Sequence, residues 1–517
     1  MKKFIAPLLI GAALSSSAFA ADDSLKQEVE ALKVQMAELK NAQSKINVDA
    51  LKAQVSEIKA HDAGDNIKWD VDFRTAYDYV DYKVNSGMIP AGDTKNGIWT
   101  NKLILGMSAQ PADNLVFKGS LAAYKMFGNN GATGYNPFQN MDWYSSESPD
   151  DSTIRLREAY FLYMGDMGDV PYTVSFGRRP SVDGFITNLR ADNEHAASPI
   201  GHNINMEFDG ASFKFDLDKV TGISGMYFKI CLGRGNSDAD SKYGTFDNYM
   251  GSITGTQLYT TALPYAKSSL NSPNMDLAGA ILQIYDNGQY KVMANYFKGW
   301  NMMGANVSWT GVGVDGNPGT MDDTYHIGLS DVGDLTGGAL SLQVNGIGDG
   351  ISDFLDDSIF FLSYAFSQTD PKGAHGVMTP FGIMQMAEML GSQDKETGSS
   401  IYTGVQVPGI MKNQRLGLEY NHGSKYWRSF TYGEDTLVGS KLATRGDAYE
   451  IYYILPVVGK NLTAQVTYTY IDYKYSGSNM FFDGNTGTPM TESEAAAAGM
   501  GFVKSASDIR LALRYRY

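Results

Sequence analysis

The last residues of the chain alternate without a break. Ile509, Leu511, Leu513, Tyr515 and Tyr517 fall on one face, and Arg510, Ala512, Arg514 and Arg516 on the other. A period of two marks an extended strand. An all-apolar face ending on tyrosine, backed by three arginines, demands two different surroundings for one strand. A helix does not present that pattern; a soluble sandwich could supply one such strand, but rarely many of this length, rich in aromatics, along a whole chain.

The same device starts at the other end of the chain. Ile67, Trp69, Val71, Phe73, Tyr77 and Tyr79 share one face, while Lys68, Asp70, Asp72, Arg74 and Asp78 share the opposite one. Between 99 and 109, Leu103, Leu105 and Met107 repeat the spacing. Ile154, Leu156, Tyr160, Leu162 and Met164 are read as one face against Arg155 and Arg157. Met226, Phe228, Ile230 and Leu232 oppose Lys229 and Cys231. Leu462, Val466, Tyr468 and Tyr470 oppose threonines and Gln465. Beyond the N-terminus no apolar run reaches the ~18 residues a membrane helix needs. A closed barrel is the other structure that satisfies every backbone polar group in lipid. The expected fold is therefore all-β, a transmembrane antiparallel barrel.

Connections alternate in length. Short ones are read at 110–114, 165–170, 218–222, 286–288, 421–424 and 456–461, with Asn287-Gly288 a strong hairpin signal. Long ones are read at 128–151, 179–205, 233–275, 370–411 and 476–505. Short turns on one side and long loops on the other are what outer-membrane barrels show. The pattern predicts about 18 strands, with 16 as the alternative, and an even count returns the C-terminus to the periplasm with the start of the barrel. Residues 304–411 are the hardest to divide.

Before the barrel the pattern differs. Lys2 and Lys3, the apolar stretch Phe4 to Leu14, and Ala18-Phe19-Ala20 read as a signal peptide over residues 1–20. Leu25, Val29, Leu32, Met36 and Leu39 recur at heptad spacing, and Val48, Leu51, Val55 and Ile58 repeat it out of register. Residues 21–60 are thus expected to form a periplasmic coiled-coil helix, 61–66 a hinge, and 67–517 the barrel. The formal charge is −15, and loss of Lys2 and Lys3 takes it to −17. Such an acidic chain carries no nucleic-acid footprint. Cys231 is the only cysteine, so no intramolecular disulfide forms.

Two further segments, Arg155-Leu156-Arg157-Glu158-Ala159-Tyr160 and Phe176-Gly177-Arg178-Arg179-Pro180-Ser181-Val182-Asp183-Gly184, resemble porin sequences. With the terminal strand and the N-terminal helix, the mature chain is similar to a porin-like outer-membrane family of delta- and epsilon-proteobacteria catalogued as a domain of unknown function. The resemblance implies an outer-membrane barrel and implies no substrate.

A lumen of this size is water-filled, and charges at its narrowest point set selectivity. Arg178, Arg179, Asp183, Arg190, Asp192 and Glu194, crowded into one long connection, are the candidates for a pore constriction. Arg155, Arg157, Arg510, Arg514 and Arg516, with Asp70 and Asp72, are the candidates for the lumen wall. Leu513, Tyr515 and Tyr517 form the candidate assembly signal, read by the barrel-assembly machinery. The lumen is expected to be of mixed charge, with no ion selectivity assigned.

Other chemistry finds little support. Gly311 to Gly316 spells a dinucleotide motif, but Asn317-Pro318-Gly319 follows where a helix would have to start, so it reads as a loop. Asp349, Asp353, Asp356 and Asp357 lack the ligand order of a calcium loop. They read as a solvated loop that divalent ions bridge to lipopolysaccharide. Of six histidines, only His195 and His202 are worth pairing, and none has metal-ligand spacing. No GxSxG elbow occurs. No cofactor, metal or catalytic residue is expected. The leading expectation is a passive porin in the outer membrane, a homo-oligomer with a trimer as one form. The second is an interaction protein, an adhesin or a sheath for a partner such as a cytochrome. The third is an outer-membrane enzyme.

Overall fold

The computed structural model describes Lys33 and residues 67–85, 92–127, 149, 153–239, 273–311, 324–348, 350–372, 377–379, 382–384, 388–478 and 488–517. The expected signal peptide, coiled coil and hinge lie outside these residues apart from Lys33, as do Asp349 and Val312 to Gly319. Residues 67–517 form one compact unit.

The strands follow in chain order. The first five are β1 (Lys68–Asn85), β2 (Gly92–Ala112), β3 (Leu115–Met126), β4 (Arg155–Met167) and β5 (Val170–Arg179). Then come β6 (Gly184–Phe185), β7 (Ala197–Ile200), β8 (Phe208–Asp216), β9 (Tyr227–Asn236) and β10 (Met275–Asp286). β11 (Tyr290–Gly311), β12 (Thr324–Asn345), β13 (Ile359–Pro371), β14 (Val377–Thr379) and β15 (Gly382–Met384) follow. The last are β16 (Thr397–Pro408), β17 (Arg415–Gly423), β18 (Gly446–Val458), β19 (Leu462–Tyr473) and β20 (Phe502–Arg516).

Among the described residues sixteen of these strands close an antiparallel barrel, each beside its chain neighbour, with β20 returning to β1. The pairs β6–β7 and β14–β15 stand outside the ladder. The closing seam runs from Asp72 opposite Arg516 to Asn85 opposite Phe502. Closure leaves the ladder of described strands without an edge to pair with another chain.

The strand count is sixteen rather than eighteen. The described residues among 372–396, in the stretch hardest to divide, include the short β14–β15 hairpin and no wall strand, and β11 and β12 are single strands of 22 residues each. The expected turn at 421–424 is a further correction. β17 runs to Gly423, and residues 424–445 form a long connection to β18. The segment carries Trp427, Phe430, Tyr432, Leu437 and Leu442, so its apolar content resembles that of a wall strand. Those side chains instead fill the lumen.

Alternation survives from sequence to wall. Trp69, Phe73 and Tyr79 are exposed on the outer face of β1, while Ala76 and Asp78 are buried inside. On β20, Ile509, Leu511, Leu513, Tyr515 and Tyr517 are all exposed outward. β4 departs from the reading. A bulge places Leu156 opposite Leu121 and Glu158 opposite Ser120, leaving Arg157 as the extra residue. The parity flips there, so Phe161 and Tyr163 face outward in place of Tyr160 and Leu162.

Short turns join β2–β3, β4–β5, β8–β9, β10–β11, β12–β13, β16–β17 and β18–β19 at one end of the barrel, where Val71 and Tyr517 also bond to each other. The β8–β9 turn contains helix α1 (Asp218–Thr221) and the β12–β13 turn helix α2 (Asp353–Asp356), while α3 (Glu492–Ala497) lies in the β19–β20 connection at the far end. Asp353, Asp356 and Asp357 of the acidic cluster are thus at the turn end, opposite the long loops. Ser352 caps α2 and Asp356 accepts from Gly350 N at 3.0 Å. Asp353, Asp356 and Asp357 are part of this capped turn.

Candidate functional site

Two connections from the loop end fold into the lumen. The first, residues 180–207, runs down its length. Glu194 meets Lys460 of the β18–β19 turn at 3.1 Å, and Asp192 pairs with Arg516 at the end of β20. The second, residues 424–445, lies against it. Asn205 N donates to Phe430 O at 2.6 Å, and Phe430 N to Asn203 O at 2.9 Å. Close approach is possible because glycine stands where a Cβ would collide. A Cβ on Gly398 of the wall would lie 2.2 Å from Trp427 N, and one on Gly433 would lie 2.5 Å from Asn205 O.

These loops divide the interior. Against β10–β16 they build a sealed core. Phe361, Tyr402, Trp427, Leu442, Phe185, Ile186 and Ile200 pack together there, beside a second group that includes Met206, Phe297, Met302 and Phe430. Buried polar groups inside it find partners in His202 and Lys441. His202 is fully buried, with Nδ1 2.8 Å from Ser363 Oγ and Nε2 2.9 Å from Ser400 Oγ. Burial pushes its imidazole down to about 3, so the ring is neutral. His195 is exposed, so the two histidines do not come together. Lys441, also buried, binds Glu419 and, at 2.6 Å, Glu450.

Against β18–β20 and β1–β4 the loops leave a cavity of about 300 Å³. Its wall carries Arg74, Lys102, Arg157, Arg510 and Arg514 among Asp70, Asp72, Glu450 and Asp508, and the loops add Asp183, Arg190, Glu434 and Asp435. Alternation explains most of the wall: Asp70, Asp72, Glu450, Arg510 and Arg514 each lie between apolar neighbours, whereas Arg157 enters from the bulge of β4. Among the described residues no group of three metal-ligating side chains occurs.

The arginines of β20 hold both loops. Arg510 binds Asp78 of β1 and donates from Nη1 to Asp435 O at 2.8 Å. Arg514 clasps Asp72 from Nε at 2.8 Å and reaches Ala191 O and Asn193 Oδ1. Arg516 donates to Asp192 O at 2.6 Å. The spacing that turns these residues to one face therefore also lets one strand grip two loops.

Asp435 is the most heavily bonded carboxylate of the cavity. Arg74 approaches both its oxygens, at 2.6 and 3.1 Å. Lys102 Nζ lies at 3.2 Å, Tyr124 OH donates at 3.0 Å, and Arg510 Nη1 lies at 3.3 Å. Burial pushes this carboxyl up, but Arg74, Lys102 and Arg510 more than reverse that and hold it well below the usual carboxylate range. Arg190 binds Glu434 of the same loop. Burial lowers its guanidinium, and Glu434, Tyr402, Glu419 and Glu450 outweigh this and raise it.

The sequence candidates are distributed as follows. Asp70, Asp72, Arg157, Asp183, Arg190, Arg510 and Arg514 line the cavity. Asp192 and Glu194 sit at its turn-end mouth with Arg516 and Lys460. Glu194 is exposed, and its bond to Lys460 lowers its carboxyl. Arg178 is buried in the wall, donating from Nε to Arg157 O at 2.8 Å, and Arg179 borders a small apolar void of about 80 Å³. Arg155 begins β4, half-buried. Leu513, Tyr515 and Tyr517 are on the outer face. Sequence reasoning did not single out Lys102, Tyr124, Glu434 or Asp435. Arg74 was placed on the inward face of the first strand, which was the one signal available.

Residues 93–517 match the family described as Protein of unknown function (DUF3373). No curated protein matches the chain. Solved structures similar to it include a loop L8 deletion mutant of OmpT, an outer membrane protein of Vibrio cholerae, at 11% identity and TM-score 0.42, covering 87% of this chain and 99% of that one. An anion-selective porin from Comamonas acidovorans matches at 10% identity and TM-score 0.44, with 87% and 99% covered. OprB of Pseudomonas putida matches at 12% identity and TM-score 0.42, with 89% and 96% covered.

Proposed function

The chain belongs to the DUF3373 family, whose description assigns no activity, and from that premise we propose that this member is a passive outer-membrane channel for small hydrophilic solutes. The observation that carries the reading is the divided lumen. A closed sixteen-strand wall with an apolar exterior encloses a charged cavity bounded by two inward loops. The exterior is suited to lipid, and the interior to water and ions. A wall of this strand number encloses more space than side chains alone fill. Loops narrowing it to one eccentric, charged passage act as a constriction, where fixed charges decide which ions enter.

On this reading the wall meets outer-membrane lipid and lipopolysaccharide. The β20 terminus is read by the barrel-assembly machinery, and the barrel works as a homo-oligomer. The turn end faces the periplasm, together with the helix expected over residues 21–60.

The test is single-channel conductance of the purified full-length protein in planar bilayers. Discrete, ohmic openings are expected, and Lys102→Gln should shift the anion-to-cation permeability ratio toward cations. A folded barrel that passes no current, even after residues 425–444 are replaced by a short turn, would overturn the reading. That outcome would favour the sheath or adhesin alternative.

A further inference from the structure

Four side chains from four wall strands converge on one loop carboxylate. Arg74 of β1, Lys102 of β2, Tyr124 of β3 and Arg510 of β20 all reach Asp435. We propose that these four residues form a binding site for the carboxylate of a passing organic-acid solute, and that Asp435 fills it as a tethered occupant between passages.

The donor geometry is specific for a planar carboxylate. Arg74 presents Nη1 to one oxygen and Nη2 to the other, the two-point arrangement that guanidinium and carboxylate share. Tyr124 adds a neutral donor to the same oxygen that Arg74 Nη2 binds, and Arg74 Nη2 in turn donates to the phenol at 3.0 Å. The Tyr124 ring is flanked by cations, with the Arg74 guanidinium 5.5 Å and Lys102 Nζ 5.2 Å from its centroid. The donors all belong to the closed ladder, so they stay in place when the loop carboxylate moves. Asp435 keeps 24% of its side-chain surface, and it opens on the charged cavity rather than on the sealed core. A solute in the cavity reaches the site without unpacking the Trp427 core.

The occupant is held by its chain, which makes it a permanent competitor for the site. Main-chain anchors on either side, Tyr82 OH to Leu437 O at 2.6 Å and Asn205 N to Phe430 O at 2.6 Å, keep the loop in place while the Asp435 side chain rotates away. Tethering gives Asp435 an effective concentration on the order of millimolar or more at its site. Free carboxylates therefore bind the wild-type site weakly, as transport requires of a site that must also release. Arg514 and Arg516, bonded to Asp192 and the backbone at 191–192, offer cations further toward the turn end.

This inference rests on the channel reading, and the experiment separates the two. The full-length protein and its Asp435→Asn and Asp435→Ala variants are titrated with succinate by calorimetry in detergent, with sulfate as the non-carboxylate dianion. The same proteins are recorded in bilayers in potassium chloride. Removing the tethered occupant is expected to tighten succinate binding at least about tenfold. Adding Arg74→Gln to Asp435→Asn should abolish that gain, and sulfate should not reproduce it. Equal succinate affinity with and without Asp435 overturns the proposal, as does sulfate binding as tightly as succinate. If the variants conduct but gain no affinity, the carboxylate site falls and the channel stands. If no form conducts, the channel reading falls first. Should Asp435→Ala fail to fold, the near-isosteric Asp435→Asn carries the test.

Discussion

On β13 the inward residues are Phe361, Ser363 and Ala365, each with no exposed surface. On β20 they are Asp508, Arg510 and Arg514, and they face a cavity. Both strands have ordinary apolar outer faces, Leu362 and Tyr364 on one and Ile509, Leu511 and Leu513 on the other. The same closed ladder thus supports two different interiors. The β10–β16 side is finished like a soluble core, and its strength comes from burial and close packing. The β18–β4 side is held by ion pairs and hydrogen bonds between wall and loop around the charged cavity. On the proposed channel reading, the first side fixes the loops and the second leaves a path.

The contrast predicts unequal responses. The largest effect belongs to Trp427, which is 1% exposed and donates from Nε1 to Leu442 O at 2.8 Å. Trp427→Ala should cost about 3–5 kcal/mol of local stability. Hydrogen exchange should rise across 180–207 and 424–445 while the wall strands stay protected. Unchanged exchange in both loops would mean that the sealed core does not hold them.

Acid should separate the halves next. The His202 imidazole is pushed down to about 3 in the fold, against an ordinary value near 6.5 in the unfolded chain. Its contribution is complete above that ordinary value. It is lost as pH falls toward the folded one, at up to about 1.4 kcal/mol per pH unit. The Asp435 carboxyl is held well below the usual range, so its contribution is complete above about 4 and is lost only at more acidic pH. Between pH 6.5 and 4.5, exchange should therefore rise at 200–205 and not at 434–437. His202→Asn should flatten the first response. A simultaneous rise at both sites would erase the distinction.

The smallest effect is expected at the turn-end mouth. Arg516 and Asp192 are 26% and 31% exposed, and solvent screens such pairs. Arg516→Gln should cost at most about 1 kcal/mol, read as faster protease cleavage near 190–194 with the melting temperature of the barrel nearly unchanged. A large drop in melting temperature would show that β20 depends on this loop for its place in the wall.

Much of the wall was readable because strand chemistry is local. The period of two alone places Asp70, Asp72, Arg74, Arg510 and Arg514 inside and Tyr515 outside, as the wall shows. The reading failed where a local pattern had two solutions. The bulge at Arg157 inverted the second half of β4, since an extra residue leaves no signature in hydrophobic spacing. Residues 424–445 carry apolar side chains at a density that suits lipid or a plug equally well. The sequence pointed to 178–194 as an inward loop. It had no means to show that Arg178 would be spent on the backbone of β4 while Arg190 reached a second loop.

The sequence by itself determined that the chain has two faces and a single way of satisfying its backbone between them, because alternation and hydrogen-bond closure are properties of neighbouring residues. The strand count, the division of the lumen and the meeting of Arg74, Lys102, Tyr124 and Arg510 at Asp435 were decided only by the tertiary structure. Tyr124 lies 50 and Asp435 361 residues from Arg74 along the chain. Closing the barrel brings them together, and no local rule relates their positions.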